Sequence, residues 1–302
     1  MAEKRVLVTG GTGFIGRVLC SDLLEAGHQV DVLSRQRPAD VLALCGRVTP
    51  IRELTDIGGG SGYNAVVNLA GEGIAEKRWS DQRKQELRDS RIALTRELVS
   101  ALLRSDRLPD VMVSGSAVGY YGAQGNLEVT ERTEPHDEFS HQLCADWEKA
   151  AAPLGDKGVR LCYSRTGLVV GENGGFLERM VLPFKLGLGG RIGDGQQYMP
   201  WVHRRDVVNA ILWMLSSDQG SGAYNVVSPN PVTNRMFTST LAGVLSRPAI
   251  FPVPAVALKL ALGEMSRLLL TGQRAKPERL EQAGFRFTYP ELEPALRNAL
   301  DK

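Results

Sequence analysis

Glycines spaced for phosphate binding follow the first apolar run of the chain. Gly11, Gly13 and Gly16 give the pattern G-x-G-x-x-G, and Gly10 begins an overlapping repeat. Such a turn lets the backbone approach a pyrophosphate closely, and the helix after it directs free N–H groups at the anion. A short apolar strand before the turn and an amphipathic helix, predicted to open at Phe14, supply the context that this motif requires. We therefore predict a dinucleotide site at Gly10, Gly13, Phe14, Ile15 and Gly16.

Residues at the end of the second predicted strand bear on which dinucleotide binds. Ser34 and Arg35 follow a strand predicted over 29–33, at the position where the adenosine ribose would lie. A carboxylate there would bind the ribose 2′-hydroxyl, whereas a guanidinium suits a 2′-phosphate. Asp31 lies too early in the strand for the ribose. The sequence predicts NADP rather than NAD, against the alternative that Arg35 and Arg37 are only solvated loop charges.

Further cofactor contacts are predicted after the next strand and on the helix beyond it. Small residues at the end of an inner parallel strand let a nucleotide pass over the backbone, which favours main-chain contacts from Leu69, Ala70 and Gly71. A long helix is then predicted after Ser80, which is a good N-cap residue. Its Glu86 and Arg91 lie off the apolar stripe, so they either contact the cofactor or face solvent.

Strands alternate with helices as far as Thr166, and this order predicts the fold class. The pattern indicates an α/β protein with a Rossmann-type, doubly wound parallel sheet and a smaller C-terminal lobe. We predict an NADP-binding domain over 1–228, with 170–200 contributing to the second lobe. A mostly helical lobe for substrate or partner is predicted over 229–302.

Composition narrows the classes of partner. The 36 Lys and Arg residues nearly balance the 34 Asp and Glu residues, which gives no field that would attract nucleic acid or an anionic membrane. The four cysteines form no C-x-x-C pair, and no apolar run approaches the roughly 20 residues of a membrane helix. We expect a cytoplasmic protein with a small-molecule substrate, no nucleic-acid partner, no membrane association and no metal site. The oligomeric state stays open, with a homodimer as one possibility.

The order of motifs resembles the extended short-chain dehydrogenase/reductase superfamily and, within it, the atypical YfcH-like epimerase family of the NAD-dependent epimerase/dehydratase group. The matching segments run through the whole chain: residues 68–72, 77–79, 90–91, 114–122, 147–148, 183–190, 272–274 and 281–285. The resemblance implies a Rossmann-type domain that binds NADP(H). It places cofactor contacts at Ser34, Arg35, Leu69, Ala70, Glu86, Arg91 and Val169.

The proton-transfer pair of that superfamily is missing from this sequence. Active members use a tyrosine four residues before a lysine, and none of the seven tyrosines here has that lysine. The corresponding positions fall near Ser140 and Cys144, neither of which can replace the pair. Ser116 keeps the place of the superfamily's oxygen-holding serine. Tyr120 or Tyr121 either replaces the missing tyrosine or only packs its loop against the sheet.

Two functions follow from these residues. The first is an NADP-dependent oxidoreductase or epimerase, in which hydride moves between the nicotinamide and an unidentified substrate held between the lobes. Ser116 would polarise an oxygen, and Arg78, Lys185 and Arg191 are candidates for recognising an anionic substrate. The alternative is a non-catalytic NADP(H)-binding regulatory protein, in which the nucleotide locks the two lobes and a partner recognises the closed state.

Overall fold

A computed structural model describes residues 3–57, 62–217 and 220–301. Its main element is a sheet of seven strands, and three two-stranded pairs complete the β structure. The strands in chain order are β1 (Arg5–Thr9), β2 (Gln29–Leu33), β3 (Thr49–Ile51), β4 (Ala65–Asn68), β5 (Val111–Ala117), β6 (Glu128–Val129), β7 (Arg160–Thr166), β8 (Leu168–Val170), β9 (Tyr198–Met199), β10 (Trp201–His203), β11 (Gly222–Val226), β12 (Val232–Thr233) and β13 (Arg274–Ala275).

The seven-stranded sheet has the order β11-β7-β5-β4-β1-β2-β3, and every neighbouring pair is parallel. The chain leaves β1 for β2 on one side and returns to β4 on the other, so the strand order reverses beside β1. Ligands of doubly wound sheets bind at such a switch point. The predicted fold class is confirmed, and the predicted glycine turn lies at this point.

Helices cover the sheet and build the second lobe. They are α1 (Gly16–Glu25), α2 (Pro38–Cys45), α3 (Asp81–Arg88), α4 (Leu94–Leu103), α5 (Phe139–Gly155), α6 (Gly175–Lys185), α7 (Arg204–Ser216), α8 (Asn234–Leu245), α9 (Ala255–Leu262), α10 (Arg267–Leu270), α11 (Glu278–Gln282) and α12 (Leu292–Ala299). In the described ranges, no helix is long and apolar enough to cross a membrane.

Two predicted helices need correction, one at its first residue and one in its interior. The first helix begins at Gly16 rather than Phe14, because the Gly13 N–H donates to the Gly10 carbonyl at 3.0 Å and keeps the intervening residues in a tight turn. The predicted helix after Ser80 does begin there, with the Ser80 hydroxyl accepting from the Arg83 N–H at 3.1 Å. It is interrupted, however, by a π-helical segment at Asp89–Ala93, which contains Arg91.

The second lobe packs around its own apolar cluster. Trp201, Phe237, Leu241 and Leu296 are fully buried there, between the short strands and α8 and α12. The parallel pair β8–β10 and the antiparallel pair β9–β12 lie in this region. Neither pair was predicted from the sequence. Whether the chain divides functionally at residue 228 stays a prediction.

Candidate functional site

The glycine turn after β1 packs directly against the end of β4. Gly10 has a φ of +69°, and a Cβ atom there would lie 2.7 Å from the carbonyl carbon of Leu69. A Cβ on Gly16 would lie 2.2 Å from the Gly10 carbonyl oxygen. The Ala70 N–H donates to the Thr9 hydroxyl at 3.2 Å, which ties the two strand ends together. The structure therefore brings the predicted contacts on β1 and β4 to one place.

Gly13 differs from its two neighbours in the motif. Within 4 Å of a Cβ on Gly13, the described residues offer a single atom, the Gly10 carbonyl oxygen at 3.1 Å. Packing inside the protein therefore constrains this position much less than Gly10 or Gly16. A side chain here would also hold a pyrophosphate away from the backbone. The turn fits the dinucleotide that the sequence predicts.

Arg35, at the end of β2, is exposed and only loosely paired. Its side chain is 94% exposed, and its Nη2 atom lies 4.0 Å from a Glu72 carboxylate oxygen. Arg37 is instead bound to Asp40 at 2.8 Å. The Ser34 hydroxyl accepts from the Gln36 N–H at 3.2 Å. Of these two arginines, Arg35 therefore has the longer ion pair and the more exposed side chain.

Asp31 does not lie at this exposed strand end. Its carboxylate is buried and binds Arg5 at 2.7 Å and the Tyr63 hydroxyl at 2.9 Å. Both partners lie at the opposite end of the strands, Arg5 as the first residue of β1 and Tyr63 just before β4. Asp31, which the sequence does not assign to the ribose, therefore has a structural role.

A cluster of arginines and glutamates lies beside the turn after β4. The Arg83 side chain, only 4% exposed, binds Glu72 at 2.7 Å and Glu86 at 2.8 Å. The hydrogen bond from Arg83 lowers the pKa of Glu72. Glu86 and Arg91, both predicted as cofactor contacts, have different surroundings. Glu86 remains partly exposed beside Arg83, whereas burial lowers the pKa of Arg91.

Arg91 holds the turn that carries Gly71. Its Nη2 atom donates to the Glu72 carbonyl at 2.6 Å, and its guanidinium lies 5.3 Å from the centre of the Trp147 ring. A Cβ on Gly71 would lie 3.0 Å from the Arg91 Cζ atom. The π-helical segment places this guanidinium under the turn after β4. Arg91 therefore positions the backbone that was predicted to meet the nucleotide.

Phe14 and Val169 meet at the opposite end of the glycine turn. A Cβ on Gly174 or on Gly175 would lie 2.6 Å from the Phe14 ring, and one on Gly175 would lie 2.7 Å from the Val169 carbonyl oxygen. Arg17, one turn along α1, donates to the Asn173 carbonyl at 2.8 Å. The Phe14 side chain thus joins the turn to the segment that leads into the second lobe. Ile15 is half-buried and packs against the core beneath.

Ser116 is held inside a buried polar network at the end of β5. Its hydroxyl donates to Glu148 at 2.6 Å, and both Glu148 oxygens accept from Arg165 at 2.8 Å. Burial alone would lower the pKa of Arg165, but the hydrogen bonds and charge of Glu148 outweigh it and raise that pKa. The serine offered as an oxygen-holding group therefore already has a buried partner.

The two tyrosines proposed as replacements belong to the same network. The Tyr121 hydroxyl accepts from Arg165 at 3.0 Å and donates to Asn225 at 2.7 Å. Tyr121 is fully buried, and burial raises its pKa to about 12. A buried, doubly bonded phenol with that pKa is a poor proton donor to a ligand, which weighs against a catalytic role for Tyr121, and that role stays a prediction. Tyr120 stacks on the Arg165 guanidinium, 3.4 Å from ring centre to Cζ.

A cavity of about 270 Å³ lies between the ends of β5 and β7 and the second lobe. Ser140 and Cys144, one turn apart on α5, line it, as do Ala117 and Thr166 at the two strand ends. The positions that correspond to the superfamily's proton-transfer pair therefore do face a cavity. Burial raises the pKa of Cys144 to about 12. Most other lining side chains are apolar: Ile74, Trp79, Val118, Phe139, Leu168, Phe176, Met199, Pro200, Leu268 and Leu269.

An ion pair joins the two lobes across this cavity. Arg267 on α10 donates through Nε to Glu138 at 3.1 Å and makes a second bond through Nη2, and Glu138 also accepts from Ser140 at 2.8 Å. The cations predicted to recognise an anionic substrate, Arg78, Lys185 and Arg191, are not among the lining residues. Glu138 and Arg267 were missed because nothing in their spacing relates residue 138 to residue 267.

Comparison with known proteins identifies the family of this chain. The model of the NAD dependent epimerase/dehydratase family matches residues 6–227, and a domain of unknown function, DUF1731, matches residues 253–299. The chain belongs to the NAD dependent epimerase/dehydratase family. The resemblance inferred from the motifs is confirmed, including a distinct C-terminal region.

Relatives in this epimerase family match the chain along nearly its whole length. An epimerase family protein of Mycobacterium bovis is 40% identical over 302 residues, covering 98% of this chain and 97% of the relative. The crystal structure of human epimerase family protein SDR39U1 with NADPH has a TM-score of 0.90 and 34% identity, and covers 99% of each chain. A Bacillus cereus UDP-glucuronic acid 4-epimerase, 17% identical with a TM-score of 0.79 over 98% of each chain, shares the fold.

Proposed function

We propose that this protein binds NADP(H) and transfers hydride between that cofactor and a small substrate in the cavity. The observation that carries the cofactor is the combination of the exposed Gly13 with Arg35, an exposed guanidinium at the end of β2 whose pairing with Glu72 is long, at 4.0 Å. The NADPH in the human relative's structure supports the same choice. When bound, the nicotinamide supplies the hydride chemistry.

The chain's own residues would hold the cofactor from three sides. Gly10, Gly13 and Gly16 allow the backbone at the start of α1 to approach the pyrophosphate. Arg35 would donate to the 2′-phosphate, and charge-assisted hydrogen bonds of this kind are worth about 1.5–3 kcal/mol. Leu69 and Ala70 form the backbone surface over which the nucleotide passes.

The cofactor proposal is tested by titrating the protein with NADPH and NADH while following nicotinamide fluorescence. We expect NADPH to bind at least about tenfold more tightly, and Arg35→Ala to remove that margin. Arg37→Ala is the matched control, because Arg37 is two residues away, equally charged and bound to Asp40. Absence of binding by either nucleotide would overturn the proposal. A margin that survives Arg35→Ala would exclude Arg35 as its source.

A second candidate function is a non-catalytic NADP(H) sensor. It is favoured by the burial of Tyr121 and by the bond from Ser116 to Glu148, which leave the usual proton-transfer machinery without a replacement. In that case, cofactor binding would make or break the Glu138–Arg267 pair and so change how the lobes close. Turnover separates the two candidates: NADPH oxidation dependent on an added carbonyl compound supports the enzyme, and cofactor-dependent protease protection without turnover supports the sensor.

A further inference from the structure

The polar side chains around the cavity are largely engaged by the protein itself. Asn234 accepts the Ile192 N–H at 2.7 Å through Oδ1, and Gln197 donates to the carbonyls of Ile192 and Leu269. Gln273 donates to the Gly122 carbonyl at 2.7 Å. These amides fix the walls of the cavity and have little capacity left for a ligand. The surface that remains for a ligand is mainly apolar.

The charges around the cavity do not suit an anion. Among the described residues that line it, Arg267 is the one cation, and Glu138 and Glu264 are carboxylates. Arg267 is already bound to Glu138, and Glu264 to Lys84 at 2.6 Å. A diphosphate carries two negative charges and needs arginines, lysines or helix N-termini to replace its water. The lining offers it one engaged arginine.

The size of the cavity also favours a small ligand. Its volume of about 270 Å³ lies just below the range of roughly 300–1,000 Å³ that is usual for small-molecule sites. A compact organic molecule fits this space better than a sugar joined to a nucleoside diphosphate.

We propose that the substrate is a neutral, largely apolar carbonyl compound or the corresponding alcohol, and not a nucleoside-diphosphate sugar. This inference rests on the proposed function for its chemistry. In the reductive direction, a hydride from the reduced dinucleotide adds to the carbonyl carbon. The π electrons of the C=O bond move to oxygen, which takes a proton from water, and the products are the alcohol, the oxidised dinucleotide and hydroxide.

The test measures ligand binding by calorimetry on the protein saturated with NADP⁺, where the ketones cannot be reduced. The probes are 2-hexanone, 2-octanone, 2-decanone and UDP-glucuronic acid. Burial of each added methylene should tighten ketone binding about fourfold until the cavity is full. UDP-glucuronic acid should not bind at millimolar concentration. Tighter binding of UDP-glucuronic acid than of any ketone, or ketone binding that ignores chain length, would overturn the inference.

A variant in the cavity wall localises the binding. Leu269→Arg adds a cation to the lining while keeping the backbone carbonyl that Gln197 uses, and it should weaken 2-octanone binding at least tenfold. Leu269→Met should retain binding, and Leu182→Arg, at a position that is 65% exposed and outside the lining, should leave it unchanged. Equal ketone binding by Leu269→Arg and the unmodified protein would place the ligand elsewhere and refute the assignment.

Failure of the cofactor proposal can be told apart from failure of this inference. Nicotinamide fluorescence reports NADPH binding before any ketone is added. If NADPH does not bind, the proposed function fails. If NADPH binds and the ketones do not, the substrate class alone is wrong.

Discussion

The hydroxyl of Ser116 donates a 2.6 Å hydrogen bond to the carboxylate of Glu148, and both groups are buried at the end of β5. A serine has a single O–H donor, so Ser116 cannot also donate to a substrate oxygen while this bond exists. Glu148 is neutralised by Arg165, which in turn supports Tyr121. The residues that resemble catalytic groups therefore stabilise the sheet edge that borders the cavity.

Removing the Ser116 hydroxyl should reduce stability without affecting cofactor binding. Ser116→Ala deletes a hydrogen bond to a charged acceptor, and we expect the free energy of unfolding to fall by about 1.5–3 kcal/mol in urea titrations. The NADPH dissociation constant should stay within twofold. Ser114→Ala is a matched control, because the Ser114 hydroxyl is buried two residues earlier on β5 and finds no hydrogen-bond partner among the described residues. Equal losses in the two variants would contradict the proposed role of the Glu148 bond.

The Glu148–Arg165 pair should show strong coupling. Arg165→Met leaves the Glu148 carboxylate buried without its cation, and we expect a loss of about 3–5 kcal/mol. Adding Glu148→Leu removes the isolated charge, so the double variant should be more stable than Arg165→Met alone. Urea unfolding of both single variants and the double variant measures the coupling. A double variant no more stable than Arg165→Met would show that the lost contacts with Tyr120 and Tyr121 dominate.

Gly13 and Gly16 should respond differently to the same substitution. A Cβ on Gly16 meets the Gly10 carbonyl oxygen at 2.2 Å, so Gly16→Ala should cost about 1–3 kcal/mol of stability through backbone displacement. Gly13→Ala has only the 3.1 Å contact and should be far less destabilising. It should nevertheless weaken NADPH binding at least tenfold, because the methyl group stands where the pyrophosphate approaches. Unchanged NADPH affinity in Gly13→Ala would rule out that path for the pyrophosphate.

The sequence was sufficient to predict the five inner strands of the sheet. The strand over 29–33 is found at those residues, and the run before the glycine turn is β1, because buried parallel strands are continuous apolar segments bounded by turns. The two outer strands, β3 and β11, and the short pairs of the second lobe were not predicted. β3 and the paired strands have too few residues for periodicity to distinguish them from loops.

The polar networks could not be derived from spacing along the chain. Glu148 lies 17 residues from Arg165, and Glu138 lies 129 residues from Arg267, so only the folded topology brings the members of each pair together. The same limit applies to Ser116. The sequence places it at the end of β5, whereas its partner Glu148 lies on α5. The type of a residue and its place at a strand end predict where it lies in the fold, but they do not predict the direction in which its side chain points.

His203 should make stability depend on pH between about 4 and 6.5. It caps α7, with Nδ1 accepting from the Arg205 N–H at 3.2 Å, and only the neutral ring can accept this bond. Burial lowers the pKa of His203 to about 4, whereas the unfolded chain titrates near 6.5. Within this window the unfolded state binds more protons than the native state. The stabilisation is therefore complete above pH 6.5 and is lost as pH falls towards 4, by up to roughly 3 kcal/mol.

The variant His203→Asn isolates this effect, because asparagine also caps helices but does not titrate. Urea unfolding at intervals from pH 4 to pH 8 should show a steeper loss of stability towards low pH in the unmodified protein than in the variant. Burial raises the pKa of Asp206 and Glu131, which gives slopes of the opposite sign, but these are common to both proteins and cancel in the difference. The loss of His203 packing against Tyr289 shifts the variant by a constant amount at every pH. Parallel pH profiles would therefore show that His203 is protonated alike in the folded and unfolded chains.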